Sequence, residues 1–269
     1  RGLGDVYKRQ VAQTQIFFNN LIDEVQSTND IEGVRSSREE ISLTIDKLMK
    51  NNKNGRFSGL VKLYLKFQEN KYNTIHEVKD FRDIWNELVS DEIEKDDDMP
   101  DGKLFRKEGE VINSGERIIH RGDASEDEII SHLSSLVTEM NDENIPSLPK
   151  CFIAHYYYEY VHPFYDGNGR TGRFIACSYL SRKLDMMSAI NFSSAIVQNK
   201  DLYYKAFTDM SNPYNQGEAT SFIISMMRLL EKGQYSIIEK LDDGIKKMMI
   251  ASKLTDNLSL IHISEPTRP

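Results

Sequence analysis

Apolar residues recur at helical spacing along almost the whole chain, and nowhere do strand and helix patterns alternate, which leaves little besides a helical bundle to fold into. In "TQIFFNNLIDEV" Phe17, Leu21 and Val25, with Ile16 and Phe18 beside them, mark one face. The same period predicts helices in "REEISLTIDKLM", "GLVKLYLKFQ" and "IHEVKDFRDIWNELV", the last with a face of Val78, Phe81, Trp85 and Leu88. Later it returns in "PKCFIAHYYYEYV", "GRFIACSYLSRKL", "KDLYYKAFTDM", "ATSFIISMMRLLEKG" and "SIIEKLDDGIKKMMIAS". One segment departs from it: in "GEVINSGERIIHRG" two β-branched runs flank "NSGE", a β-hairpin pattern. After it, Ser125 with Glu128 three residues on predicts a capping box. The expected fold class is all-α, a mostly helical bundle with one small β-hairpin. The charged stretch "DEIEKDDDMPDGK" reads as a solvated loop between two packing units.

The ends stand outside this pattern. If Val6–Gln10 is written with the codons GTG TAT AAG AGA CAG, the opposite strand translates as Leu258–His262, and the match continues outward to Arg1 with Thr267. Residues 1–10 and 258–269 are therefore expected to be the translation of one inverted adaptor element, and to say nothing about the fold. The chain carries a net charge of −8, and the two end segments contribute +2 of it, which puts the remainder at −10. Such an acidic chain is a poor candidate for non-specific nucleic-acid binding. Cys151 and Cys177 lie in apolar helical patterns without metal-type spacing, and no apolar run approaches the ~20 residues of a membrane helix. A reduced, cytoplasmic chain is the expectation.

The chemistry concentrates in "HPFYDGNGRTGR". Gly167, Gly169 and Gly172 satisfy G-x-G-x-x-G, and Asp185 lies near the offset of the acidic residue that follows a dinucleotide fingerprint, but no βαβ unit surrounds them. His155, His162 and Asp166 are of metal-ligating type, yet their spacing is no strong zinc pattern, and His155 reads as a histidine packed within its helix. A third reading uses every polar residue. Gly167 and Gly169 let the backbone turn its N–H groups toward an anion at a helix start. Arg170 and Arg173, three apart, are neighbours on that helix and can both bond phosphate oxygens. Asp166 is a hard ligand for Mg²⁺ carried by a polyphosphate. His162, held by Pro163, can take a proton near neutral pH.

Filled at all nine fixed positions over His162–Arg173, this stretch resembles the signature of the Fic family, H-P-F-x-D-G-N-G-R-x-x-R. The similarity extends upstream to the hairpin and downstream through "YYKAF" and "NQGEATSFI", from roughly residue 105 to 230. It implies a protein adenylyltransferase that moves AMP from ATP onto a Ser, Thr or Tyr hydroxyl of a target protein. By position, His162 would be the general base and Asp166 the Mg²⁺ ligand. Asn168, with the backbone of Gly167 and Gly169, would line an anion hole, and Arg170 and Arg173 would hold the outer phosphates. Tyr204 and Asn215 align loosely with base-contacting positions, and Phe164 reads as a core anchor. The hairpin around Ile112–Ile119 would be the flap that presents the target hydroxyl.

Upstream, Thr28, Glu32 and Gly33 fit the family's inhibitory-helix motif [S/T]-x-x-x-E-[G/N]. The resemblance then implies that Glu32 pairs with Arg173 in place of the γ-phosphate and so misaligns ATP. The expected organisation is an N-terminal helical region with the inhibitory helix over 11–95 and a Fic catalytic core with C-terminal helices over 96–257. A bacterial source is expected, and homo-oligomerisation is left open. The alternatives are removal of AMP, transfer of another phosphate-containing group, or a nucleotide-binding regulatory module without turnover.

Overall fold

Helices built from these periodic faces dominate the structure, a computed structural model that describes residues 3–50, 55–89, 92–93, 98–114 and 117–263. Residues 1–2 and 264–269 of the two end segments, and the hairpin turn Gly115–Glu116, lie outside the described residues. The first helices are α1 (Leu3–Ile31), α2 (Arg38–Met49), α3 (Ser58–Leu65) and α4 (Val78–Leu88). Strands β1 (Val111–Ser114) and β2 (Arg117–Arg121) pair antiparallel, with an irregularity between Ile112 and Asn113. Then come α5 (Glu126–Asn141), α6 (Ser147–Val161), α7 (Asn168–Lys183), α8 (Met186–Ala189), α9 (Phe192–Gln198), α10 (Lys200–Met210) and α11 (Thr220–Ile263).

At the centre, α6 and α7 form an antiparallel hairpin: Cys151 meets the Ala176 carbonyl at one end, and Gly172 faces Glu159 near the other. Almost every residue of α7 from Asn168 to Ser181 is buried, so it is enclosed on all sides and exposes no face to solvent there. The helices α1, α4, α8 and α9 all pack on it, and one continuous apolar core runs from Phe17 to Leu230. Residues on both sides of position 95 share that core.

A carboxylate pins α1 into it. Glu24 is fully buried and accepts from the Ser193 backbone N–H at 2.8 Å, Ser193 Oγ at 2.6 Å, Tyr64 Oη at 3.2 Å and Cys177 Sγ at 3.4 Å. Burial raises its pKa, and the bonds from Ser193, Cys177 and Tyr64 pull it back in part. One side chain thus ties α1 to α3, α7 and α9.

Three expectations need correction. The two C-terminal patterns form one helix, α11, because Gly233 is no break: Asn191 Nδ2 donates to its carbonyl at 2.8 Å, and the helix packs over it. The cap of α5 is half a capping box. Ser125 Oγ accepts from Glu128 N at 3.3 Å, but Glu128 reaches past it to Ala124 N at 2.8 Å. The charged segment after α4 is not wholly solvated, since Glu92 is largely buried against α7.

Candidate active site

The loop between α6 and α7 is braced from three sides. His162 ends α6 with φ 52°, a left-handed conformation that a non-glycine residue keeps only when its surroundings impose it. Arg106, fully buried beneath it, donates through Nε to the His162 carbonyl at 2.7 Å, through Nη2 to Val161 O at 3.2 Å, and through Nη1 to Asp123 O at 2.6 Å and to Glu108 O. Phe164 stacks on Trp85 at 4.8 Å, and Trp85 Nε1 donates to the Asp166 carbonyl at 2.8 Å. Gly167 has φ 81°, and a Cβ there would lie 2.7 Å from Val89 Cγ2, so only glycine fits.

Asn168 closes this brace. Its Oδ1 accepts from Phe164 N at 3.0 Å and its Nδ2 donates to Phe164 O at 2.6 Å. The side chain expected to line an anion hole is thus engaged with the loop backbone; the Gly167 N–H is spent on Asp166 Oδ1, and the Asn168 and Gly169 N–H groups remain to face an anion. On His162, Nδ1 lies 3.3 Å from Glu159 O and Nε2 lies 4.0 Å from Glu110 Oε2.

The first turn of α7 has no side-chain cap, which leaves a positive helix end open to an anion. An anion is already there. Glu32, one residue beyond α1 and followed by Gly33 at φ 73°, places Oε1 2.6 Å from Arg173 Nη2. Its carboxylate sits so close over Gly169 that a Cβ there would meet Oε1 at 2.2 Å. Arg173, 2% exposed, also donates from Nε to Thr28 Oγ1 at 2.9 Å and from Nη2 to Thr28 O at 3.1 Å. Burial works against its charge, but the Glu32 carboxylate more than offsets this and holds its pKa above the ordinary arginine range.

Arg170 has a partner of its own: Nη1 lies 2.8 Å from Glu92 Oε2, and Nη2 3.5 Å from Asp166 Oδ2. Burial raises the Glu92 pKa, and Arg170 opposes the shift. Among the described residues no group of three or more His, Cys, Asp or Glu forms a metal cage. Mg²⁺ does not require one, since it is commonly held by one or two carboxylates with substrate phosphates completing its shell. The Asp166 carboxylate, half exposed at the mouth of the loop, fits that role, with Oδ1 fixed by Gly167 N at 2.6 Å.

A second carboxyl lies behind Arg173. Burial, opposed by Arg173 and reinforced by Glu32, pushes the Glu159 pKa up to about 8, and its Oε1 faces Gly172. A group whose folded pKa is raised contributes stability fully present below its unfolded pKa, near 4.5, and lost as pH rises through the folded value. Wild-type stability is therefore expected to fall between about pH 5 and pH 8 by a few kcal/mol. Glu110, pushed up to about 7 mainly by burial, contributes to the lower part of that fall. In Glu159→Gln the upper part, between pH 7 and 8, should disappear from urea midpoints taken across the range. An unchanged slope there would mean that Glu159 is ionised in the folded protein.

Tyr204 is half exposed, and its pKa is raised by burial and then by the Glu32 charge. Its neighbour Tyr203 is the buried member, bonded to His155 Nε2 at 2.9 Å and interacting with Arg173. His155, whose pKa burial lowers to about 3, is a packed neutral ring, as its helical position suggests. Asn215 spends its amide within its own turn, on Glu218 O at 2.7 Å and Met210 Sδ at 3.8 Å. The sequence reading passed over Arg106, Glu92, Glu110 and Glu159. Glu110 opens the hairpin pattern and Glu159 stands three residues before His162, but residue type alone gave neither a role.

The central hairpin of a helical bundle thus carries this loop, with the Glu32 carboxylate, just past α1, on its helix end. The family model of the Fic/DOC family matches residues 72–180 of this chain. Its fold is similar to that of a Fic family protein from Desulfovibrio desulfuricans, at 19% identity and TM-score 0.65, covering 88% of this chain and 72% of that one. A Fic-domain signaling protein from Bacteroides thetaiotaomicron is similar at 19% identity and TM-score 0.58, with 88% and 90% covered. A fragment of Fic-1 from C. elegans follows at 17% identity and TM-score 0.52, with 92% and 68% covered. The family supports nucleotide transfer in general. Among the described residues no helix is long and apolar enough to cross a membrane.

Proposed function

We propose that this chain is a self-inhibited protein adenylyltransferase, which moves AMP from Mg-ATP onto a Ser, Thr or Tyr hydroxyl of a partner protein and releases pyrophosphate. One observation carries the reading: the Glu32 carboxylate lies on Arg173 and Gly169 at the open N-terminus of α7, where the outermost phosphate of a nucleotide would find its charge complement. Once Glu32 withdraws, Arg173 and Arg170 hold the outer phosphates, and the Gly167–Gly169 backbone faces the α-phosphate.

The ring N–H at Nδ1 can bond the Glu159 carbonyl, which leaves the Nε2 lone pair of His162 as the base. The target O–H bond breaks, its proton passes to Nε2, and the oxygen forms a bond to the α-phosphorus. The bond from that phosphorus to the bridging oxygen breaks, and pyrophosphate leaves with the electron pair. Mg²⁺ on Asp166, when bound, would neutralise charge building up between the α- and β-phosphates. The hairpin β1–β2, a two-stranded sheet at the edge of the site, supports the reading by offering an extended target segment a strand to pair with.

The test is incubation with α-³²P-ATP and Mg²⁺. Glu32→Gly is expected to raise labelling of protein by about a hundredfold over wild type, as suits a restraint of a few kcal/mol. No label in Glu32→Gly from ATP or from any other α-labelled nucleotide would refute transfer. Label from another nucleotide alone would keep the site and change the donor.

A further inference from the structure

We infer that Glu110 is a positioning residue for His162, its carboxylate orienting the imidazole and balancing the charge the ring gains when Nε2 takes the target's proton. The inference rests on the adenylyl-transfer reading of the site. Glu110 immediately precedes β1, and its carbonyl accepts from Gly122 N at 3.0 Å, which closes the base of the hairpin. That base is packed on the histidine itself. A Cβ on Gly122 would stand 3.0 Å from His162 Cβ, 3.2 Å from Val161 O and 2.5 Å from Arg106 Nη2. The hairpin, Arg106 and the α6–α7 loop therefore form one packed unit, within which Glu110 has little freedom to turn elsewhere.

Oε2 of Glu110 is buried and accepts no hydrogen bond, although it lies 4.0 Å from His162 Nε2. A buried carboxylate oxygen without a donor is costly, and a catalytic role is one of the reasons a protein retains one. Protonation of His162 supplies that donor, because Nε2 acquires an N–H facing Oε2 across a gap that a small ring movement closes. The charged groups around Glu110 agree with a carboxyl poised between two states. Burial raises its pKa to about 7, Arg106 beneath the loop lowers it, and Asp166 from the α6–α7 loop and Asp98 from the segment before the hairpin raise it. An imidazolium at Nε2 would draw it down and fix it as the anion.

The test uses the full chain carrying Glu32→Gly, compared with the same chain carrying also Glu110→Gln or Glu110→Asp. Two readouts are taken: kcat and KM for ATP, and the His162 ring titration by NMR with ring-labelled histidine, the resonance assigned by its loss in His162→Gln. In Glu110→Gln the His162 pKa is expected to fall by about one unit and kcat by about tenfold, with KM for ATP within about twofold. Glu110→Asp, which keeps the charge but retracts it, should recover part of both. A structural role alone would shift melting and KM and leave the ring titration unchanged. An unmoved His162 titration in folded Glu110→Gln overturns the assignment. Should that variant melt below the assay temperature, an unmoved titration in Glu110→Asp overturns it as well. The ring titration needs no turnover, so a chain that labels nothing would sink the transferase reading and still decide the role of Glu110.

Discussion

In a Glu32→Gly background, His162→Ala is expected to lower transfer of labelled AMP by about a thousandfold, within the usual contribution of a general base, while ATP affinity stays within about threefold. The separation follows from the geometry. On the proposed reading the groups facing the phosphates would be the first turn of α7, Arg170 and Arg173, whose ion pairs run to Glu92, Asp166 and Glu32. Arg106 holds the loop through the His162 backbone carbonyl, which alanine retains. Alanine does pay for φ 52°, at about 1 kcal/mol, so His162→Asn, which tolerates the left-handed region, is the matched control and should be as inactive. Transfer above a tenth of the parent level in either variant would remove His162 from the role of base.

The largest expected effect on stability lies far from that chemistry. Glu24→Ala should destabilise the protein by about 3–5 kcal/mol, lowering the melting temperature by roughly 10 °C. Three donors, the Ser193 N–H and hydroxyl and Tyr64 Oη, would be left without their acceptor in a dry core, while Cys177 Sγ would keep the Ala189 carbonyl at 3.2 Å. Glu24→Gln should cost only about 1–2 kcal/mol, because the amide keeps an acceptor oxygen and its shape, and burial already disfavours the charged acid. Equal losses in the two variants would show that volume, not hydrogen bonding, sets the cost.

Much of this was legible because it is local. The helical period gave α2 and α10 with their bounds, since each is one amphipathic face with polar flanks. The motif marks the loop, and the two upstream residues singled out with it, Thr28 and Glu32, lie 2.9 Å and 2.6 Å from Arg173. What escaped depends on which residues meet across the fold. Glu92 sits in a run of acids that reads as solvated, and only the approach of α7 turns it inward onto Arg170. Tyr203 and Tyr204 are adjacent on α10, and spacing alone could not say which one faces His155 and Arg173. The Asn168 amide has a pattern-level role in the anion hole, whereas the packing of Phe164 under Trp85 brings the Phe164 backbone to it instead.

The glutamate that covers Arg173 stands just past a helix that Glu24 locks into the body of the protein, so the cover cannot be lifted by undocking that helix without dismantling the core. Whatever frees the site must act on the last turn, beside Gly33 with its left-handed φ of 73°. The order of synthesis carries a further consequence. A ribosome makes residue 32 long before residue 162, and the loop can close only against helices already present. Glu32 is thus already made, and its helix available to dock, by the time the loop it covers can close.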